Sequence, residues 1–141
     1  MTFLLDTNVV SEWVRPEPAP SVVTWLADVD EDEVFLSVIS IAELRRGVAL
    51  LAAGRRRQRL EKWLSEDLAD RFHGRILSID VLVAEAWGRI TARATRAGRS
   101  VGAMDALVAA TAEVHGLALA TRNTKDFDHL GVSLFNPWAG V

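Results

Sequence analysis

Phe3-Leu4-Leu5-Asp6-Thr7-Asn8 sets a short apolar run against an acid, a hydroxyl and an amide, and the change of character at Asp6 decides how the rest of the chain is read. So short and continuous an apolar run, stopped by turn-forming residues, fits a strand buried on both faces. Comparable runs recur at Val34-Phe35-Leu36, Ile76-Leu77-Ser78-Ile79, Leu117-Ala118-Leu119-Ala120 and Val132-Ser133-Leu134-Phe135. Between them, apolar residues recur at three- and four-residue spacing, which predicts helices over 40–53, 56–70, 80–97 and 102–115, with shorter helical turns around 8–14 and 20–28. Strands alternating with helices imply an α/β chain with a parallel five-stranded sheet. Gly54, Gly98 and Gly116 are read as helix C-terminal stops. The stretch Arg15-Pro16-Glu17-Pro18-Ala19-Pro20 is too short to divide the chain and reads as a stiff connection, so residues 1–141 are expected to form one domain.

Composition narrows the function classes. Half of the 141 residues are hydrophobic, yet no apolar run approaches the roughly 18 residues that cross a bilayer. The first residues carry neither a basic segment nor a small-residue cleavage site, which points to the cytoplasm. The absence of cysteine excludes disulfides, zinc-thiolate sites and thiol nucleophiles, and only His73, His115 and His129 offer imidazole, so a metal would be held mainly by oxygen. The net charge of -3 is unevenly spread: residues 1–44 carry -8, residues 45–99 carry +7 and the remainder -2. Such asymmetry suits a molecule that holds phosphate on one surface and a cation at another; solvated helix faces are the plainer reading of the same distribution.

In a parallel α/β sheet, ligands gather beyond the carboxyl ends of the strands. Asp6-Thr7-Asn8 follows the first strand, and Ser40-Ile41-Ala42-Glu43 opens a helix after the second, with Glu43 in its first turn. Gly102-Ala103-Met104-Asp105 opens the helix leading to the fourth strand, which ends in Thr121-Arg122-Asn123. Asp6, Glu43, Asp105 and Asn123 then converge on one concavity. Carboxylates this close repel one another unless a cation sits among them. Oxygen donors without thiols point to Mg2+ or Mn2+. An ion held there supplies an activated water and the positive charge that phosphodiester hydrolysis demands. Each residue also has a structural reading: Asp6-Thr7-Asn8 as an Asx turn, Ser40 and Glu43 as a capping box, Asp105 as an acid favoured by a helix dipole, Asn123 as a turn residue. Their shared position at one end of the sheet is what capping alone does not require.

At these residues the chain resembles the PIN-domain family, in particular the VapC-type toxins of bacterial toxin-antitoxin pairs, and most closely their FitB-like branch. The resemblance rests on Leu4-Leu5-Asp6-Thr7-Asn8-Val9-Val10-Ser11-Glu12, Ser40-Ile41-Ala42-Glu43-Leu44-Arg45-Arg46-Gly47, Ala103-Met104-Asp105-Ala106 with Ala109-Ala110-Thr111-Ala112, Ala120-Thr121-Arg122-Asn123-Thr124-Lys125-Asp126-Phe127, and Phe135-Asn136-Pro137-Trp138. Each segment is short; their order and spacing over essentially the whole chain are specific. The resemblance implies a three-layer α/β/α fold with a central parallel sheet, metal-dependent endonucleolytic cleavage of RNA, and metal ligation by Asp6, Glu43 and Asp105. It also implies a homodimer and a small antitoxin with a DNA-binding domain, which wraps the toxin with an apolar helix and sends a basic side chain into the acidic pocket. Many relatives have a fourth acid where this chain has Asn123, a departure that favours one metal over two. Asp126, three residues on, is placed to contribute charge from further out, and Thr7 and Thr121 to orient a water or a carboxylate.

Arg45, Arg46 and Arg122 lie nearest these motifs and are the candidates for contact with RNA phosphate. The run Arg55-Arg56-Arg57-Gln58-Arg59 begins a helix, where its charges oppose the dipole; RNA contact and a solvated helix start both remain open. Trp13, Trp25, Trp63 and Trp87 occupy apolar helix positions and read as packing residues. The acidic run Asp28–Glu33 lacks the spacing and glycine of an EF-hand and reads as a solvated loop. Two alternatives stand beside the nuclease: a catalytically silent PIN-fold module that binds RNA or a partner, which Asn123 favours, and a phosphatase with Asp6 as nucleophile, which Asn8 disfavours because that class places a second Asp there.

Overall fold

Side chains along β1 (Phe3–Leu5) alternate between two cores, Phe3 and Leu5 entering one and Leu4 the other. The computed structural model describes residues 1–139 and contains five parallel strands in the order β3-β2-β1-β4-β5. The others are β2 (Val34–Ser37), β3 (Ile76–Leu77), β4 (Ala118–Ala120) and β5 (Leu134–Phe135). The same alternation runs through them: Val34, Leu36, Ala118 and Ala120 meet the first core, Phe35 and Leu119 the second. Helices α1 (Thr7–Val10), α2 (Pro20–Asp28), α3 (Val38–Ala49), α4 (Arg55–Lys62) and α5 (Ala69–Arg71) belong mainly to the first face. The second is covered by α6 (Val81–Arg96), α7 (Ala103–His115) and α8 (Thr124–Phe127). This is the expected three-layer α/β/α arrangement. Among the described residues no helix is long and apolar enough to cross a membrane.

Several boundaries differ from the sequence reading. The helix expected over 40–53 starts at Val38, because Ser37 caps it: Ser37 Oγ accepts from the Ser40 amide at 3.3 Å. Glu43 therefore sits at the sixth helical position rather than in the first turn, and the Ser40–Glu43 capping box does not form. Nor does Gly54 stop that helix, which ends at Ala49; Gly54 is the residue before α4. Gly98 and Gly116 do act as stops, at φ 71° and 65°, a region that costs about 1–2 kcal/mol for a residue with a side chain. Each turn is closed by a backbone bond, Arg99 N to Ala94 O at 2.8 Å and Leu117 N to Ala112 O at 2.9 Å. The helix expected over 56–70 reaches Arg71 through a π-helical stretch at Trp63–Leu68. Leu60, Leu64, Leu68 and Phe72 recur every four residues, and the widened turn keeps that stripe on the first core. The edge strands are shorter than their apolar runs, since β3 and β5 each pair with one neighbour only.

The tryptophans pack as expected: Trp25 lies edge-on to Phe3 at 5.1 Å, Trp13 against Phe72 at 6.0 Å, and Trp87 donates to the Ala103 carbonyl at 3.2 Å. The acidic run contains a short 3-10 turn over Glu31–Glu33, begun by the Asp30 side chain.

Glu12 is only 1% exposed and holds both ends of the proline-rich stretch, accepting from Ala19 N at 2.9 Å and from Arg15 Nη1 at 3.0 Å. Glu12→Ala strands the Ala19 amide and removes a charged acceptor, so a loss of about 1.5–3 kcal/mol is expected as a lower urea midpoint. Replacing the exposed Glu17 by Ala is expected to leave that midpoint within about 0.5 kcal/mol of the parent's.

Candidate functional site

β1 lies between β2 and β4: the chain leaves β1 toward β2 on one side and returns through α7 to β4 on the other. A sheet of this order opens a crevice at the carboxyl ends of the two strands where the direction reverses. Asp6 stands there, extending the ladder through its amide to Ala120 O at 2.9 Å. Its Oδ1 accepts from Thr7 N at 2.9 Å, which starts α1, and its Oδ2 accepts from Thr121 Oγ1 at 2.7 Å. Thr121 Oγ1 in turn accepts from the Asn123 amide at 3.0 Å. Asn8 spans the same junction, its Nδ2 lying 3.5 Å from Thr121 Oγ1 and its Oδ1 accepting from Arg122 N at 3.4 Å.

Glu43 enters from α3 and is held by Thr7, whose hydroxyl donates to Oε1 at 2.7 Å and lies 3.0 Å from the buried Ser40 Oγ. Asp105 is the third residue of α7, and neither of its carboxylate oxygens has a hydrogen-bond donor among the described residues. Burial is the main reason that the Asp6 carboxyl titrates above the ordinary carboxylate range; the bonds from Thr121 and Thr7 pull it down, and the charges of Glu43 and Asp126 push it up. Asp105 is raised as well, by burial first and then by the negative charges of Asp6, Asp126 and Glu43. Asp6, Glu43 and Asp105 thus lie near enough at this end of the sheet for their charges to be felt, and Asp126 joins them at closer quarters than its sequence position suggested. The signal for Asp126 was an acid in the first turn of the helix that follows Asn123. Asn123 itself joins through its backbone, its carbonyl accepting from Asp126 N at 3.0 Å while its side chain is exposed. Ser37 and Ser40, absent from the sequence-derived site, fix the start of α3 and with it the position of Glu43.

Of the arginines, Arg122 follows Thr121 and lays its guanidinium 5.4 Å from the Trp138 ring, whereas Arg45 turns along α3 to Ser65 Oγ at 3.0 Å. Arg46 is exposed and has no ion pair among the described residues. Within the basic run, Arg57 is paired with Glu61 at 2.7 Å. The donor set fits a hard divalent cation: carboxylates whose proton affinity is raised by burial and mutual repulsion, and an Asp105 with both oxygens open. Among the described residues no three acidic or imidazole side chains stand close enough to enclose an ion directly. An ion of the Mg2+ type would therefore be held by one or two of these carboxylates and completed by waters.

The profile of the PIN domain family matches residues 3–132. Toxin FitB of Neisseria gonorrhoeae is 44% identical over 135 residues, covering 96% of this chain and 97% of that protein. VapC ribonuclease Y4jK of Sinorhizobium fredii is 36% identical over 96% of this chain and 96% of that protein. A solved structure of FitAB bound to an IR36 DNA fragment superposes with a TM-score of 0.93 at 42% identity, covering 97% of this chain and 96% of that one.

Carboxyl NMR titration of the metal-free protein is expected to show both Asp6 and Asp105 above the ordinary range. Asp126→Asn should lower both, by removing a negative neighbour, and Thr121→Val should raise Asp6 further, by removing a bond to its ionised form. The linked stability has a fixed sign. A carboxyl with a raised folded-state pKa contributes stability that is present below its unfolded pKa and lost as pH rises through the folded one. Without metal, Asp105→Asn is therefore expected to melt higher than the parent at neutral pH, with the difference closing as pH falls below the ordinary carboxylate range.

Proposed function

The chain belongs to the PIN-domain family, and from that premise we propose that residues 1–141 form a single metal-dependent endoribonuclease domain, the toxin of a toxin-antitoxin pair, which hydrolyses RNA phosphodiester bonds at the Asp6 crevice. The observation that carries this reading is a set of four acids at one crevice, in which Glu43 and Asp126 add to the burial that raises the proton affinity of Asp6 and Asp105, with none of the four ion-paired among the described residues. A structural cluster would be neutralised by nearby Arg or Lys; this one is left for a cation.

Mg2+ or Mn2+, when bound, supplies Lewis-acid stabilisation of the phosphodiester and a more acidic attacking water. Asp6, Glu43 and Asp105 would hold the ion, one or two of them directly and the rest through bound waters. Thr121 and the Thr7 amide hold Asp6 in one orientation, and the Thr7 hydroxyl does the same for Glu43, so the oxygens are aligned before substrate arrives. Asn123 presents a neutral amide at the mouth, and Asp126 restores the charge that the amide lacks. Arg122 and Arg46 meet substrate phosphate. Arg45, committed to Ser65, does so only by releasing it.

Asn123 also favours the second reading, a silent RNA- or partner-binding module, but with Asp126 the acid count at the crevice stays at four. The phosphatase reading fits poorly: both oxygens of Asp6 are engaged and the residue is 8% exposed, which suits a positioned ligand and not an attacking nucleophile.

The relatives named as toxin and ribonuclease support an RNA substrate, and the DNA-bound FitAB complex supports a small antitoxin partner with a DNA-binding domain; the location that goes with an RNA substrate is the cytoplasm. A basic antitoxin side chain among these carboxylates would replace the cation's charge and exclude phosphate. Homodimerisation is supported by Ile79, Val81, Leu82 and Met104, exposed apolar residues at or just before the N-terminal ends of α6 and α7.

Cleavage of a structured RNA in Mg2+ or Mn2+, and its loss on chelation, is the direct assay. Asp6→Asn and Asp105→Asn are each expected to lower kcat about 100-fold or more, the order of removing one group that stabilises transition-state charge. Asp126→Asn should cost about 10-fold. Indistinguishable rates in parent and variants would leave the silent module as the better reading.

A further inference from the structure

A second feature opens from the carboxylate crevice. α6 ends at Arg96 and α7 begins at Ala103, and Trp87, halfway along α6, already meets the Ala103 carbonyl, so residues 97–102 carry the chain back along α6. Facing that segment are α8 and the turn after it. Between them lies a cleft of about 350 Å3, lined by Arg99, Ser100, Lys125 and His129 and, where it meets the site already described, by Asp105 and Asp126.

The cleft's wall carries donors that the fold leaves underused. Lys125 has no ion pair among the described residues. Arg99 lies 3.5 Å from Asp128 with both side chains about half exposed, a pairing worth little in water. His129 shares that same Asp128 oxygen at 3.4 Å through Nδ1, and its buried Nε2 has no partner. Neither cation is paired with Asp105 or Asp126, although both line the same cleft with them. Cations placed to neutralise the acids would displace the metal; cations held apart from them, on the wall of the same groove, suit a substrate that bears negative charge on either side of the scissile group.

We propose that this cleft is a subsite for the RNA phosphate next to the one being cleaved, contacted by Arg99 and Lys125 with Ser100 beside them. The assignment rests on the nuclease reading above and extends it to a direction for the substrate: the strand leaves the carboxylates along the groove between residues 99–102 and α8. Asp128 competes internally for Arg99, and binding of RNA takes the arginine from it.

The test is fluorescence anisotropy of a labelled single-stranded oligoribonucleotide on the full chain, with Ca2+ in place of Mg2+ and the probe's integrity checked on a gel, over a range of KCl. Arg99→Gln and Lys125→Gln are each expected to weaken binding severalfold at low salt and to lower the slope of log affinity against log salt by about 0.7, the value for one lost single-strand phosphate contact. Asp128→Asn, which frees Arg99, should tighten binding. Lys62→Gln removes the same charge from α4 on the other face, outside the Arg55–Arg59 run, and should keep the parent's slope. Parent-like affinity and slope in both cleft variants overturns the subsite and leaves the nuclease reading standing, as does an equal loss in Lys62→Gln. A parent that binds no RNA at all overturns both.

Discussion

The hydrogen bond from Thr121 to Asp6, 2.7 Å long and buried, ties the carboxyl end of the central strand to that of its neighbour, and the site is arranged around it. β1 supplies Leu4 and Leu5, both fully buried, and its last turn outward ends in an acid that is itself 8% exposed. An ionised carboxylate at such depth is tolerated only if its oxygens are engaged. The Thr7 amide and the Thr121 hydroxyl engage them, and in doing so they begin α1, fix the exit of β4 and set Asn8 across the junction. One acid thereby determines where three segments of chain meet.

What these bonds do not supply is countercharge. Glu43 and Asp126 raise the proton affinity of Asp6, and together with Asp6 they raise that of Asp105, while several cationic residues of the middle third are occupied elsewhere: Arg57 with Glu61, Arg71 over Trp13, Arg45 on Ser65. The fold carries an electrostatic cost at its carboxyl edge and meets it with packing on both faces of the sheet. Trading stability for a poised site is common where function demands groups that the fold itself does not neutralise. The proposed cation converts that cost into binding free energy, and the same charges, paired with a basic side chain, describe how an inhibitor would silence the site.

Much of this was legible in the residues. β1, α2, α6 and α7 follow directly from apolar spacing, and the acids after β1 and at the head of α7 stand out because the strand ends and helix starts are plain. The start of α3 was not legible, because Val34-Phe35-Leu36-Ser37-Val38-Ile39 reads as one extended apolar run and offers two serines as caps; only packing shows that the chain turns at Ser37. That displaced Glu43 by most of a turn and made a capping box look plausible. α8 has four residues, too few for any periodicity, so Asp126 was visible as an acid but not as a member of the cluster. The π-helical stretch likewise leaves no local mark, since it answers to the fourfold stripe from Leu60 to Phe72 and the core that receives it.

In the function proposed above, the repulsion at this crevice is relieved by one divalent ion. The most direct measurement is a titration of Mn2+ into the RNA-free protein, followed by electron paramagnetic resonance. A single Mn2+ per chain is expected to bind saturably at neutral pH, more weakly as the carboxylates protonate, and not in Asp105→Asn. Binding that never saturates, or that Asp105→Asn leaves unchanged, would contradict a single-ion site there.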